Sequence, residues 1–198
     1  LIAGPRQVGK TTLALSLLKQ GSPEHPAYFN WDIAGKRTSL IAGKIPKDEN
    51  LIILDEIHKY KNWRNLVKGL FDQYKGRKQI LVTGSARLDA YSRGGDSMQG
   101  RYFHYRLHPF SLSEFDRTLS AAALDRLLKF GGFPEPLFSS DERLWRRWQG
   151  ERIGLVLKDD ITSLEHVKDV ELVSLLAETL VEKIAAPLSI ANLRNDLD

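Results

Sequence analysis

Leu1-Ile2-Ala3-Gly4-Pro5-Arg6-Gln7-Val8-Gly9-Lys10-Thr11-Thr12 opens the chain, and its reading decides the fold. A short apolar run passes into Gly4 to Thr11, which fits G-x-x-x-x-G-K-[ST] at every specified position, and a helix-patterned segment from Thr12 to Leu18 follows. Glycines at these places let backbone N–H groups converge on phosphate oxygens, and the helix N-terminus adds its positive end. In such a loop Lys10 reaches the β and γ phosphates and the Thr11 hydroxyl ligates magnesium. Gly4, Pro5, Arg6, Gln7, Val8, Gly9, Lys10, Thr11 and Thr12 are therefore the candidate nucleotide-binding residues, with ATP or ADP and Mg2+ as the expected ligands. Arg6 has two open readings, a phosphate or subunit contact and a solvated side chain.

Outward from the loop, apolar runs bounded by punctuation predict strands at Leu1 to Ala3, Ala27 to Trp31, Leu51 to Leu54, Gln79 to Thr83 and, more weakly, Tyr102 to Leu107. Helical patterns lie between them at Lys10 to Lys19, Ala34 to Ala42, Trp63 to Tyr74 and shortly after Arg87. Alternation of this kind predicts an α/β fold, a mostly parallel sheet with helices on both faces. After Pro109 only helical patterns remain: Ser111 to Leu119, Ala121 to Phe130, Asp141 to Leu157 and Lys168 to Ala185. Ser111 and Glu114 form a capping box, and Gly131 to Pro136 is a strong breaker.

Leu51-Ile52-Ile53-Leu54-Asp55-Glu56 ends an apolar strand in two acids, forty-five residues beyond Lys10 and in the same predicted sheet. Asp55 is expected to hold magnesium through water, and Glu56 to polarise the attacking water. His58 follows and reads as structural more readily than functional. Gln79 to Ser85 ends in small polar residues, where Ser85 first, and Thr83 second, could touch the γ-phosphate or the lytic water.

Gly4 to Thr12, Asp55-Glu56-Ile57-His58, Thr83-Gly84-Ser85, Gly100-Arg101, Pro109 to Phe115 and Gly131 to Glu135 together resemble a group of archaeal and bacterial AAA+ P-loop ATPases. The resemblance implies an ATPase core over residues 1–110, a helical lid over 111–150, and from 151 the start of a winged-helix-like region that in relatives often continues into a nuclease-like fold. It also implies that Arg101 is an arginine finger acting on a neighbour's nucleotide or within its own subunit, which makes a homo-oligomer an expected partner. A DNA partner is expected through the C-terminal region. Arg143, Arg146 and Arg147 are candidates for a second sensing arginine.

Composition bounds the rest. Among 198 residues, hydrophobic types at 42% and charged types at 27% mark a folding chain. The net charge of +4 favours anionic partners without demanding nucleic acid. Between Lys59 and Arg106 eleven basic residues stand against Asp72, Asp89 and Asp96, a pattern that fits a nucleic-acid footprint or solvated helix faces equally. No cysteine is present, which excludes disulfides and thiolate metal sites, and no stretch has the apolar length of a membrane span. A cytoplasmic location without membrane partners is expected. The chain opens inside an apolar run rather than on Met and lacks a stop signal near Asn192 to Asp198, so an excerpt of a longer protein is expected. A helicase fits poorly, since no second lobe is visible. A slowly turning nucleotide-gated switch uses the same residues as an ATPase and stays open as the alternative.

Overall fold

A computed structural model describes residues 1–84, 102–156, 170–184, 187 and 189–197. They divide between two compact units, Leu1–Ser140 and Asp141–Asp198. The first contains a five-stranded sheet whose strands are β1 (Ile2–Ala3), β2 (Tyr28–Asn30), β3 (Leu51–Asp55), β4 (Gln79–Thr83) and β5 (Tyr105–Arg106). Their spatial order is β2-β3-β4-β1-β5, and every pairing among them is parallel. The register sets Asn30 beside Asp55 and Asp55 beside Thr83, so three strands deliver polar residues to one level at their carboxyl ends.

The apolar runs become strands because the sheet interior has room for little else. Ile52, Ile53 and Leu54 are buried, as continuous apolar strands of a parallel sheet must be. Each such side chain contributes about 1.5–3 kcal/mol by leaving water. They form one core with Ala3, Ala14, Leu18, Tyr28, Phe29, Leu40, Trp63, Val67, Leu70 and Val82. The helices are α1 (Lys10–Ser16), which brings Ala14, α2 (Ala34–Ile41), which brings Leu40, and α3 (Trp63–Tyr74), which brings Trp63, Val67 and Leu70. A 3-10 turn, Ile57–Lys59, links β3 to α3.

After β5 the described elements of the first unit are helical: α4 (Leu112–Phe115), α5 (Ala121–Phe130) and α6 (Pro134–Ser139). The second unit holds α7 (Glu142–Leu155), α8 (Val170–Glu182) and α9 (Ile190–Leu197), with α8 packed against α9. Asp141 caps α7 by accepting from the N–H groups of Arg143 and Leu144 at 2.7 and 3.2 Å. Trp148 is buried, and the Arg152 guanidinium lies 5.3 Å from its ring centroid.

The largest departures from the sequence reading have identifiable physical reasons. α1 stops at Ser16 rather than Lys19 because Leu17 and Leu18 donate to carbonyls three residues back, tightening the last turn ahead of Gly21. The helix expected over Ser111 to Leu119 is only α4. The Asp116 carboxylate takes the N–H groups of Thr118 at 2.9 Å and Ser120 at 3.1 Å, and that local alternative outcompetes continued helix. The Ser120 and Thr118 hydroxyls first, and those two N–H groups after them, hold the Asp116 carboxyl well below the usual range. Gly131 to Pro136 is not wholly a breaker: Pro134 occupies the first turn of α6, where its fixed φ suits a helix start. α9 and the 3-10 turn have no counterpart in the sequence reading, and the short helix expected after Arg87 lies outside the described residues.

Candidate functional site

Gly4 follows β1 where the chain must turn against the strand next door. A Cβ built there would lie 2.3 Å from the Leu107 carbonyl oxygen, so only glycine permits this approach. The loop then curls to Gly9, the N-cap of α1. Lys10, the first helical residue, is buried, and its ammonium donates to the carbonyls of Pro5 at 2.6 Å and Gly4 at 3.1 Å. A buried cation needs such acceptors, and these two hold the amine within the ring of the loop. Gln7 adopts a left-handed backbone, φ 62°, which a non-glycine residue keeps only where its surroundings impose it.

Asp55, at the end of β3, is 1% exposed. Its Oδ2 accepts from Thr11 Oγ1 at 2.8 Å, from the Tyr28 hydroxyl at 2.6 Å and from Asn30 Nδ2 at 3.4 Å, and its Oδ1 accepts from Thr83 Oγ1. Four donors on three elements thus fix one buried carboxylate, close to the most a carboxylate accepts. Burial, with the bond to Asp55 second, pushes the Tyr28 phenol well above its ordinary value. Thr83, the alternative candidate for touching phosphate, has its hydroxyl engaged by Asp55, and its carbonyl accepts the Glu56 N–H at 3.2 Å.

Glu56 is likewise left-handed, φ 55°. Its Oε2 lies 3.5 Å from Lys59 Nζ and 3.7 Å from His58 Nε2. Burial pushes its carboxyl above the ordinary range, opposed by Lys59 and assisted by Asp55, with smaller effects from Lys10 and Asp32. A carboxylate so placed is a better proton acceptor than a solvated one.

These residues meet at a cleft of about 470 Å3 lined by Arg6, Gln7, Gly9, Lys10, Thr11, Thr12, Glu56, Lys59, Pro134 and Glu135. Of the sequence candidates, Gly4, Pro5, Val8 and Asp55 do not line it. Gly4 and Pro5 supply the carbonyls that hold Lys10, Val8 is buried beneath the loop, and Asp55 holds Thr11 from below. Ser85 and Arg101 lie outside the described residues. Arg146 and Arg147 face Glu142 and Glu151 of their own helix at 3.8 and 2.8 Å.

The sequence reading missed Tyr28, Asn30 and Lys59; it singled out Gly131 to Glu135 as a motif but did not count Pro134 or Glu135 among the site residues. A signal existed for Asn30: a polar residue closing an apolar strand, as in Leu54-Asp55. No local signal existed for Lys59, which reaches the cleft only through the folded topology.

The geometry agrees with what the chain is similar to. An uncharacterized protein of Methanocaldococcus jannaschii is 24% identical, over 98% of this chain and 49% of its own length. One of Haemophilus influenzae is 24% identical over the whole chain and 54% of its own length. One of Mycobacterium bovis is 26% identical over 83% of this chain and 36% of its own length. The chain therefore spans about half the length, or less, of the curated relatives it matches. No described helix is long and apolar enough to cross a membrane. Residues 1–116, more than half of the chain and the part that contains the phosphate loop, β3 and every strand of the sheet, match the AAA domain family, and the chain belongs to it.

Proposed function

We propose that the cleft binds ATP and hydrolyses it with Mg2+, and that the change of nucleotide is passed on as a change of conformation. The observation that carries this reading is the 2.8 Å bond from Thr11 of the phosphate loop to Asp55 of β3, beside a cleft that also contains Lys10 and Glu56. It joins two motifs forty-four residues apart at the sheet's carboxyl edge, the edge at which open α/β sheets bind ligands.

A hydroxyl and a carboxylate are hard oxygen donors, and so small a protein ligand set suits an ion that keeps most of its waters. Thr11 directly, and Asp55 through water, would hold Mg2+, which when bound neutralises charge on the phosphate oxygens. Lys10 exchanges its carbonyl partners for the β and γ phosphates, the stronger charge-assisted bonds. Loop N–H groups from Gly9 onward would fix the phosphate chain, and Thr12 lines the same cleft. Glu56 accepts a proton from the water whose oxygen bonds to the γ-phosphorus, the bond from that phosphorus to the β,γ-bridging oxygen breaks, and ADP and phosphate leave. Arg101, carried by the resemblance, is proposed to supply positive charge to that transition state from a neighbouring copy. Mixing Arg101→Ala subunits with Glu56→Gln subunits tests this, since each restores what the other lacks.

The experiment that tests the central reading is Glu56→Gln. The variant keeps size and hydrogen bonding but cannot take the proton, so ATP affinity by calorimetry should stay within about twofold while phosphate release falls about 100-fold or more. Equal loss of binding and turnover contradicts the assignment.

A further inference from the structure

Lys59 sits on the cleft wall although no part of the nucleotide motifs requires a cation there. The 3-10 turn folds it back beside Glu56, with the Lys59 N–H donating to the Glu56 carbonyl at 3.2 Å. The ammonium then lies between two carboxylates on different strand exits: Asp32 Oδ2 at 2.6 Å, after β2, and Glu56 Oε2 at 3.5 Å, after β3. Both ends of this bridge have fixed roots. The Asp32 N–H donates to Asn30 Oδ1 at 2.8 Å, and the Trp31 N–H to the Asp55 carbonyl at 3.0 Å, which ties the β2 exit to β3. Trp31 stacks on Tyr60, the residue after Lys59, with centroids 4.6 Å apart and planes 24° from parallel. On the other side the Glu56 N–H is held by the Thr83 carbonyl, so the backbone is pinned and only the Glu56 side chain is left to be aimed.

We infer that Lys59 is a positioning residue for Glu56: anchored by Asp32, it holds the carboxylate by Oε2 at the angle from which it takes a proton from water. This rests on the reading of the cleft as an ATP-hydrolysing site. Stability is not a sufficient reason for the contact, because the Lys59 and Asp32 side chains are 40% and 53% exposed and pairs of that kind hold folds together weakly. Orientation is a different matter, since small misplacement of a reacting group lowers rates steeply. His58, buried and 3.7 Å from the same Oε2, limits the carboxylate from the inner side. The hydrolytic geometry therefore depends on the β2 exit as well as on β3.

The test measures ATP turnover and ATP affinity for Lys59→Met, Lys59→Arg and Asp32→Asn in the full chain, with melting temperature as a control. Lys59→Met should lower kcat about tenfold, leave KM for ATP within about twofold and leave the melting temperature unchanged. Lys59→Arg, which can still bridge two carboxylates, should recover most of the loss, and Asp32→Asn should show a smaller loss of the same kind. In a Glu56→Gln background Lys59→Met should have no further effect on residual single-turnover hydrolysis, because the residue it aims is already disabled. A rise in KM of about tenfold with kcat intact overturns the inference by showing that the cation serves the phosphates. Unchanged kcat in Lys59→Met and Asp32→Asn also overturns it, while wild-type hydrolysis shows that the ATPase reading stands. Absence of hydrolysis in the wild type overturns that reading, and the role of Lys59 with it.

Discussion

Two glycine turns pack onto the same stretch of backbone, the exit of β5 at Leu107 to Phe110, and they build two walls of the cleft. On one side Gly4 lies against the Leu107 carbonyl, and the Leu107 N–H donates to Ala3 at 2.8 Å. On the other, a Cβ on Gly132 would sit 2.4 Å from the Phe110 carbonyl oxygen, and the Phe110 N–H donates to Gly132 at 2.7 Å. The first turn leads into Lys10 and Thr11, the second into Pro134 and Glu135. Side-chain chemistry dictates the first wall, so its residue types are visible in the sequence. Shape dictates the second. Gly132 is required by a backbone approach, Phe110 meets Phe138 edge-on at 5.5 Å, and Arg126 fastens α6 to α5 by donating to the carbonyls of Leu137 and Phe138 at 2.9 and 3.1 Å.

That contrast is open to attack at three points. Lys10→Ala should produce the largest effect, a loss of ATP affinity of about 100-fold or more in calorimetry, because on the proposed reading it removes the charge that faces the β and γ phosphates. Unchanged affinity would mean that the first wall has been misread. Gly132→Ala should act by the other route. The new methyl group meets backbone rather than a flexible side chain, so the fold should lose about 1–3 kcal/mol in denaturant unfolding. ATP affinity should weaken only severalfold as Pro134 and Glu135 shift. A loss of affinity as large as that of Lys10→Ala, without loss of stability, would make the second wall chemical after all. Ser120→Ala should be the mildest of the three. It removes the hydroxyl that accepts the Ala123 N–H at 3.2 Å at the start of α5, which should cost about 1 kcal/mol of stability and leave affinity unchanged. If affinity falls too, the second wall is held in place by the helix behind it.

The same contrast explains what could be read without a structure. β4 and α3 have the bounds their apolar patterns predict, and α5 does too, because each pattern is complete and ends in residues that stop it. The Thr11 and Asp55 pairing was legible because both belong to patterns whose chemistry fixes residue type. Asp32 and Lys59, twenty-seven residues apart, had no such pattern, and their meeting follows from β2 lying beside β3. α6 was hidden by the residue that starts it. Pro134 between Gly132 and Pro136 signals a turn until it is known that the chain resumes as helix. Tyr28 was hidden for a third reason: it touches a single buried carboxylate, and nothing in a local stretch shows which strand will be its neighbour, so even the polar strand end at Asn30 could be seen only without its partner.

The position of β1 sets the order in which the molecule can be made. Ile2 pairs with Thr83 on one side and Tyr105 on the other, whereas β2, β3 and β4 pair in succession with strands nearby in the chain. During synthesis the β2-β3-β4 ladder can therefore assemble while β1 still has one flank exposed, and the strand is enclosed only once residue 105 has been added. Among the segments of this sheet, β1 and the phosphate loop are made first and completed last. Until then its apolar strand is an unpaired edge, open to any other chain that offers a match. On the proposed reading, nucleotide arriving early finds no site, while nucleotide arriving late binds the finished form alone and so draws the last step of folding forward.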